Sequence, residues 1–323
     1  MLNKILIGIF IAIFFAAVIY IPKAIRVYNV VHLFDEDKIV KNFINMNKVF
    51  PTTPIKSSGK PHIFETKAFE LPSSYTMDGK EYDFADALDY FKTDGLIVLH
   101  EGILLYENYW QGNSKEQPHI SWSVAKSFLS ALIGIAYHDG LIEDLNDPIT
   151  KYLKDFIGTG YENVPIKDIL QMSSGIIFNE DYADYNSDIN KFARALAQGT
   201  SMRDFAKNLK NGKQPGTFNH YVSIDTQMLA MLLEEITGET VAKNLEDKIW
   251  KKIGMEHDAY YMVDDTGAAW ALGGLNATLR DYAKFGQLYL NNGAWNNKQI
   301  VPADWVHASH KIDGPHLQPG END

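Results

Sequence analysis

The hydrophobic positions of this chain change rhythm three times. Ile5 to Ile21, ILIGIFIAIFFAAVIYI, is an unbroken uncharged run of 17 residues, preceded by Lys4 and followed by Pro22, Lys23 and Arg26. That length stands at the short limit for a spanning helix and slightly above the apolar part of usual signal peptides. Bulky Ile19, Tyr20 and Ile21 follow the Ala16-Ala17 pair, where a cleavage site would need small residues. Residues 1–26 therefore read as a retained signal-anchor, with a cleaved signal peptide as the alternative. From 27 to 50, VYNVVHLFDEDKIVKNFINMNKVF places apolar residues at helical spacing and predicts a membrane-proximal helix. Pro51 to Pro61, PTTPIKSSGKP, is dense in breakers and reads as a linker. The last texture, 62–323, runs on as one domain without repeats.

Within that domain Gly95 to Trp110, GLIVLHEGILLYENYW, reads as a β-hairpin turning at His100-Glu101-Gly102. Ser121 to Ala136, SWSVAKSFLSALIGIA, is apolar enough to be a buried helix, stopped by Asp139-Gly140. Further helices are expected at 148–155, 165–172, 225–236, 240–252 and 279–291. A strand pair followed by many helices predicts an α+β fold, with an antiparallel sheet against a helical region.

Charge and composition narrow the function. Acidic residues outnumber basic ones by 41 to 30, for a formal net charge of −11, which argues against a nucleic-acid partner, since that needs a basic face. There is no cysteine, hence no thiolate nucleophile, disulfide framework or Cys-ligated zinc. His307, His310 and His316 lack a supporting carboxylate pattern and read as exposed histidines rather than metal ligands.

One residue stands against its surroundings. Lys126 is the only charge in the apolar Ser121–Ala136 run, and burying an ammonium ion is costly unless it is paired or neutralised. It lies three residues after Ser123, so on a helix both share one face. A desolvated, neutral lysine beside a hydroxyl is a general base beside a nucleophile. The competing reading has Lys126 snorkelling to solvent and Ser123 capping the helix. The spacing alone decides nothing, because Ser57/Lys60 has it too, in the breaker-rich stretch. A second element adds weight: Tyr221 and Ser223 immediately precede the apolar helix IDTQMLAMLLEEITG, where a turn can aim a phenol and a hydroxyl at the same cleft.

Together with these pairs, DGLIEDLNDPITKYL, DILQMSSGIIFNEDY, PGTFNHYVSIDT and ALGGLNATLRDYAKFGQLYLNNG follow the hairpin in an order that resembles the β-lactamase-related serine hydrolases of the class C and penicillin-binding type. The likeness is greatest to the 6-aminohexanoate-dimer (nylon-oligomer) hydrolases and spans residue 90 to the end. It implies a β-lactamase/transpeptidase-like fold with Ser123 as the acylated nucleophile, Lys126 as its base and Tyr221 as a proton shuttle. Ser223 stands where many relatives have Asn. By the same likeness Tyr182 and Tyr185, in the acidic loop Asn179–Asp188, line the substrate cleft, and Gly274 and Asn276 lie beside the active site. No metal or organic cofactor is implied. The implied partner is a small-molecule amide or ester, with the chain held in the inner membrane through residues 5–21 and the domain facing the periplasm or exterior. The family's third motif, K-T-G or H-x-G, does not occur after Lys126. The resemblance therefore implies a chain cut short of the family's full length, or else a membrane-tethered binding protein without turnover.

Overall fold

The computed structural model describes residues 2–319. The hairpin forms as the alternation predicts: β5 (Gly95–His100) and β6 (Ile103–Tyr109) pair antiparallel with a bulge between Val98 and Leu99. Its turn needs left-handed backbone at two successive positions, Glu101 at φ 50° and Gly102 at φ 79°, which glycine adopts without a Cβ clash. Upstream lie β1 (Thr52–Ile55), β2 (Glu65–Thr66) and the small hairpin β3 (Ser74–Met77) and β4 (Lys80–Asp83). Downstream are β7 (His119–Ile120), β8 (Ala259–Met262) and β9 (Leu275–Ala277). One sheet has the order β1-β8-β9-β7, all antiparallel; a second has the order β2-β6-β5.

The helices are α1 (Leu2–Val31), α2 (Ile39–Phe43), α3 (Phe84–Tyr90), α4 (Val124–His138), α5 (Ile166–Leu170), α6 (Asp188–Ala197), α7 (Met202–Lys207), α8 (Ser223–Thr237), α9 (Val241–Leu245), α10 (Leu279–Leu290) and α11 (Ala303–Ala308). Helices α4 and α8 are the buried pair of the core, and Phe128 of α4 stacks on Phe285 of α10 at 3.7 Å between ring centroids. Gly134 of α4 is required by close approach, since a Cβ there would stand 2.4 Å from the Trp305 ring. The expected stop signal operates: Gly140, at φ 78°, follows α4. This is an α+β arrangement of mixed helices and sheets, as the sequence predicts.

Three expectations change. Residues 148–155 form not an α-helix but two 3-10 turns, Ile149–Lys151 and Lys154–Phe156, because Pro148 is held extended in a bridge to Pro165 and Leu153 leaves helical geometry. The stretch read as a linker, 51–61, contributes β1, paired with β8 over four residues. Pro54 is tolerated there because β1 is an edge strand, where a missing N–H breaks no ladder on its open side. Nor do residues 27–50 form one helix: α1 continues to Val31, as Val27 and Val30 pack on the hydrophobic core, and only the short α2 (Ile39–Phe43) and a 3-10 turn (Met46–Lys48) follow.

One helix among the described residues, Asn3–Val31, is long and apolar enough to cross a membrane. Its Ile5–Ile21 part is exposed along its length. The following turns dock on the domain through Lys23 Nζ donating to Gln198 O (3.0 Å) and an Arg26–Asp265 ion pair (2.7 Å). The end of the Gly314–Asp323 tail, from 320 on, lies outside the described residues.

Candidate active site

Two-residue β7 sets the entry to α4. It pairs with β9, and Ser121 N donates to Leu275 O at 2.8 Å, so the chain leaves the sheet at a fixed point. Trp122 then turns the corner at φ 45°, a conformation unusual for a residue with a bulky side chain. Its indole is clamped between Phe34 (5.4 Å, stacked) and Phe43 (5.2 Å, edge-on). Ser123 comes next, as the N-cap of α4, but its hydroxyl makes no capping bond to the helix. The capping alternative is thereby lost, and the hydroxyl is exposed.

Two other groups converge on that oxygen. Lys126 Nζ lies 3.1 Å from Ser123 Oγ, and the Tyr221 hydroxyl donates to the same atom at 2.9 Å. Lys126 also donates to Leu272 O at 2.6 Å, and no carboxylate pairs with it among the described residues. Burial draws its pKa below the usual lysine value, against the pull of Tyr221 and Glu180 in the other direction. Tyr221 owes its place to a stapled loop: Gly216 N donates to Ser173 O (2.9 Å), Asn219 Nδ2 to Gln171 O (2.8 Å) and His220 N to Met172 O (2.8 Å). The segment before the acidic loop thus serves as the bed on which Tyr221 is laid.

Ser223 is buried at the start of α8 and does not reach Lys126. Its hydroxyl donates to Glu180 Oε1 (2.5 Å) and its N–H to Glu180 Oε2 (3.0 Å). The Tyr182 hydroxyl donates to the same carboxylate at 2.7 Å. Glu180, which sequence reasoning did not single out, therefore ties the acidic loop to the helix that follows Tyr221. Tyr182 and Tyr185 both line the cleft, and Arg194 of α6 stacks on the Tyr185 ring at 3.8 Å. Gly274 and Asn276 do not line it. Gly274 sits against Trp270, where a Cβ would be 2.8 Å from its neighbours, and Asn276 is buried in β9 with its amide donating to Gly274 O at 2.9 Å. Neighbouring Gly273 reaches the cleft in their stead.

The cleft has a volume of about 850 Å³ and opens beside Ser123, within the 300–1,000 Å³ range of small-molecule sites. Among its lining side chains only Lys126 and Arg194 are charged. No group of three or more His, Asp or Glu residues suited to a metal occurs among the described residues. An exposed hydroxyl carrying an amine and a phenol within 3.1 Å is equipped for proton transfer to and from that oxygen.

The beta-lactamase family profile matches residues 86–320. The chain belongs to the beta-lactamase family. It is 30% identical over 231 residues to the 6-aminohexanoate-dimer hydrolase of Paenarthrobacter ureafaciens, covering 69% of this chain and 58% of that protein. A shorter match, 27% over 119 residues, joins it to the teichoic acid D-alanine hydrolase of Staphylococcus aureus and covers 36% of this chain and 26% of that one. The chain thus spans less than two thirds of the length of either. Among solved structures, a candidate 6-aminohexanoate-dimer hydrolase from Bacillus anthracis superposes with a TM-score of 0.81 at 27% identity, covering 88% of this chain and 78% of the other. A penicillin-binding protein from Bacillus halodurans shares the fold, with a TM-score of 0.55 at 15% identity over 69% of this chain and 76% of its own.

Proposed function

We propose that the Ser123 site is an acyl-transfer centre and the protein a serine hydrolase acting on a small amide or ester. The observation that carries this reading is the convergence of Lys126 Nζ and the Tyr221 hydroxyl on Ser123 Oγ, at 3.1 and 2.9 Å. Neutral Lys126 takes the Ser123 proton as Oγ bonds to the substrate carbonyl carbon. The carbonyl oxygen becomes an oxyanion, met by the Ser123 backbone N–H at the positive end of α4. As the oxyanion collapses, the bond to the leaving nitrogen or oxygen breaks, and that atom receives the proton through Tyr221. Water then attacks the acyl-Ser123 ester, passing a proton back through Lys126, and releases the acid. Ser223, Glu180 and Tyr182 hold the loop that faces this chemistry.

Lys126 is suited to the role because burial favours its neutral form, and the Leu272 carbonyl fixes the amine without protonating it. The length and apolarity of the helix Asn3–Val31 support a single-pass anchor; we place it in the inner membrane with the hydrolase domain on the periplasmic or outer side.

A fluorophosphonate probe, which captures activated serines covalently, tests the reading. The full chain is expected to label at Ser123, and Ser123→Ala to lose both labelling and ester turnover by about 10³-fold or more. Absence of labelling in correctly folded full chain overturns it.

A further inference from the structure

Part of the cleft wall lies outside the family match. Val30, Val31, Leu33, Phe34, Ile39 and Phe43 line the cavity that holds Ser123 and Lys126, whereas the beta-lactamase match begins at residue 86. All six are apolar, and they belong to the end of α1, the turn that follows it and α2. Phe34 is 53% exposed although it stacks on Trp122, the residue before the serine. Val31 is 46% exposed. Apolar surface held open beside a reacting hydroxyl is surface for the apolar part of a substrate.

The charge set restricts that substrate further. Both charged side chains lining the cleft, Lys126 and Arg194, are basic. Glu180, whose charge acts on Lys126, already accepts from Ser223 Oγ, Ser223 N and the Tyr182 hydroxyl and does not line the cleft. A substrate carrying an ammonium group therefore meets no free counter-ion in the cleft, and would be desolvated without compensation. A neutral or anionic one meets no repulsion.

Continuity with the apolar helix says where such a substrate comes from. The exposed run ends at Ile21 and the wall begins at Val30 on the same helix, nine residues on, or about 14 Å at 1.5 Å per residue. A chain anchored by that run holds its cleft within the reach of the lipid headgroup layer.

We propose, resting on the acyl-transfer reading above, that the substrate is an uncharged or anionic amphiphile: an ester or amide of a medium or long acyl chain, taken from the membrane surface. Residues 30–43 are the receptor for that chain. Ammonium-bearing oligomers are disfavoured by the same cleft.

The test uses the full chain reconstituted in phosphatidylcholine nanodiscs, with p-nitrophenyl acetate, butyrate, hexanoate, octanoate and 6-aminohexanoate as probes and fluorophosphonate labelling of Ser123 in parallel. Each methylene buried against the wall is worth about fourfold in kcat/KM, so octanoate is expected to exceed butyrate by at least about 30-fold. Hexanoate is expected to exceed 6-aminohexanoate by about tenfold or more. In Val31→Ser/Ile39→Ser, measured against itself, the octanoate-to-butyrate ratio is expected to fall at least fivefold. A flat series, a preference for 6-aminohexanoate, or an unchanged ratio in a variant that still labels overturns the amphiphile inference and leaves the hydrolase standing. Absence of labelling together with absence of turnover of every ester overturns the hydrolase reading and this inference with it. If the variant does not fold, the wild-type series and the ammonium comparison still decide.

Discussion

Two lysines, half-buried Lys126 and fully buried Lys284, show how one residue type serves opposite ends in this molecule. Lys284 of α10 is fully buried, with ion pairs to Glu256 (3.1 Å) and Asp281 (3.6 Å) and a bond to Gly254 O (3.0 Å). Asp281 in turn accepts from Glu256 N and His257 N, and Arg280 beside it grips Glu107 of β6 through two bonds of 2.7 and 2.6 Å. Burial lowers the pKa of Lys284, and the two carboxylates oppose it. Lys126, half-buried, is desolvated without carboxylate partners: a hydroxyl, a carbonyl and a phenol surround it. Desolvation lowers the pKa of both, so it is the partner set that separates their roles. A lysine facing carboxylates is held as an ion and locks elements together; one facing neutral oxygens is free to be a base.

The largest effect that can break this comparison is on turnover. Lys126→Ala is expected to lower kcat by roughly 10³-fold, while Lys284→Ala, assayed where it is still folded, leaves kcat within about threefold. The pH profile sharpens it further. Since burial draws Lys126 below the usual 10.5, the neutral amine accumulates at lower pH than in an ordinary lysine. The acid limb of kcat/KM should therefore rise with a midpoint below 10.5 and vanish in Lys126→Ala. A limb that survives that substitution assigns the base elsewhere.

Next in size is a stability effect, and it runs the other way. Lys284→Met removes the cation from Glu256 and Asp281 and leaves carboxylates buried without it, which costs roughly 3–5 kcal/mol. Urea unfolding followed by tryptophan fluorescence measures this. Lys126→Met leaves no buried ion behind and is expected to cost less than about 1 kcal/mol. Equal losses for the two would erase the distinction between a structural and a catalytic lysine.

This comparison was half legible in the chain. Lys126 announced itself because a charge in an apolar helix three residues from a serine is visible locally, and Tyr221 because it precedes a well-marked helix. Lys284 was hidden: α10 is amphipathic, and nothing in DYAKFGQL shows that Glu107 and Glu256 arrive from distant segments. Glu180 and Trp122 were hidden for the same reason, since their roles arise from tertiary pairing with Ser223, Phe34 and Phe43. The sheet that carries β7 and β9 escaped notice because strands of two and three residues are too short for an alternating pattern. Composition signalled a linker at 51–61, yet proline at a sheet edge is compatible with pairing.

The smallest effect tests whether an unpaired buried charge must be functional at all. Asp225, two residues into α8 from Ser223, is fully buried and faces no cation; its Oδ1 accepts from the Tyr161 hydroxyl at 2.8 Å, Ser174 stands beside the carboxyl, and Oδ2 makes no well-formed hydrogen bond among the described residues. Burial raises its pKa from 3.8 to about 7. The protonated form is thus favoured by folding, a contribution fully present below pH 3.8 and lost as pH rises through about 7. Asp225→Asn removes that loss, worth about 4 kcal/mol at 1.36 per unit. The amide introduces N–H donors whose incomplete pairing costs about 1–3 kcal/mol. The variant should therefore be the less stable protein at pH 4 and the more stable one at pH 8, by about 1–3 kcal/mol, with thermal unfolding curves that cross between. Ester turnover at pH 8 should stay within about threefold. A constant offset at both pH values would mean that Asp225 is ionised throughout. A large loss of turnover would place it in the proton path, and then Lys126 would no longer be distinguished by its reach to an exposed hydroxyl.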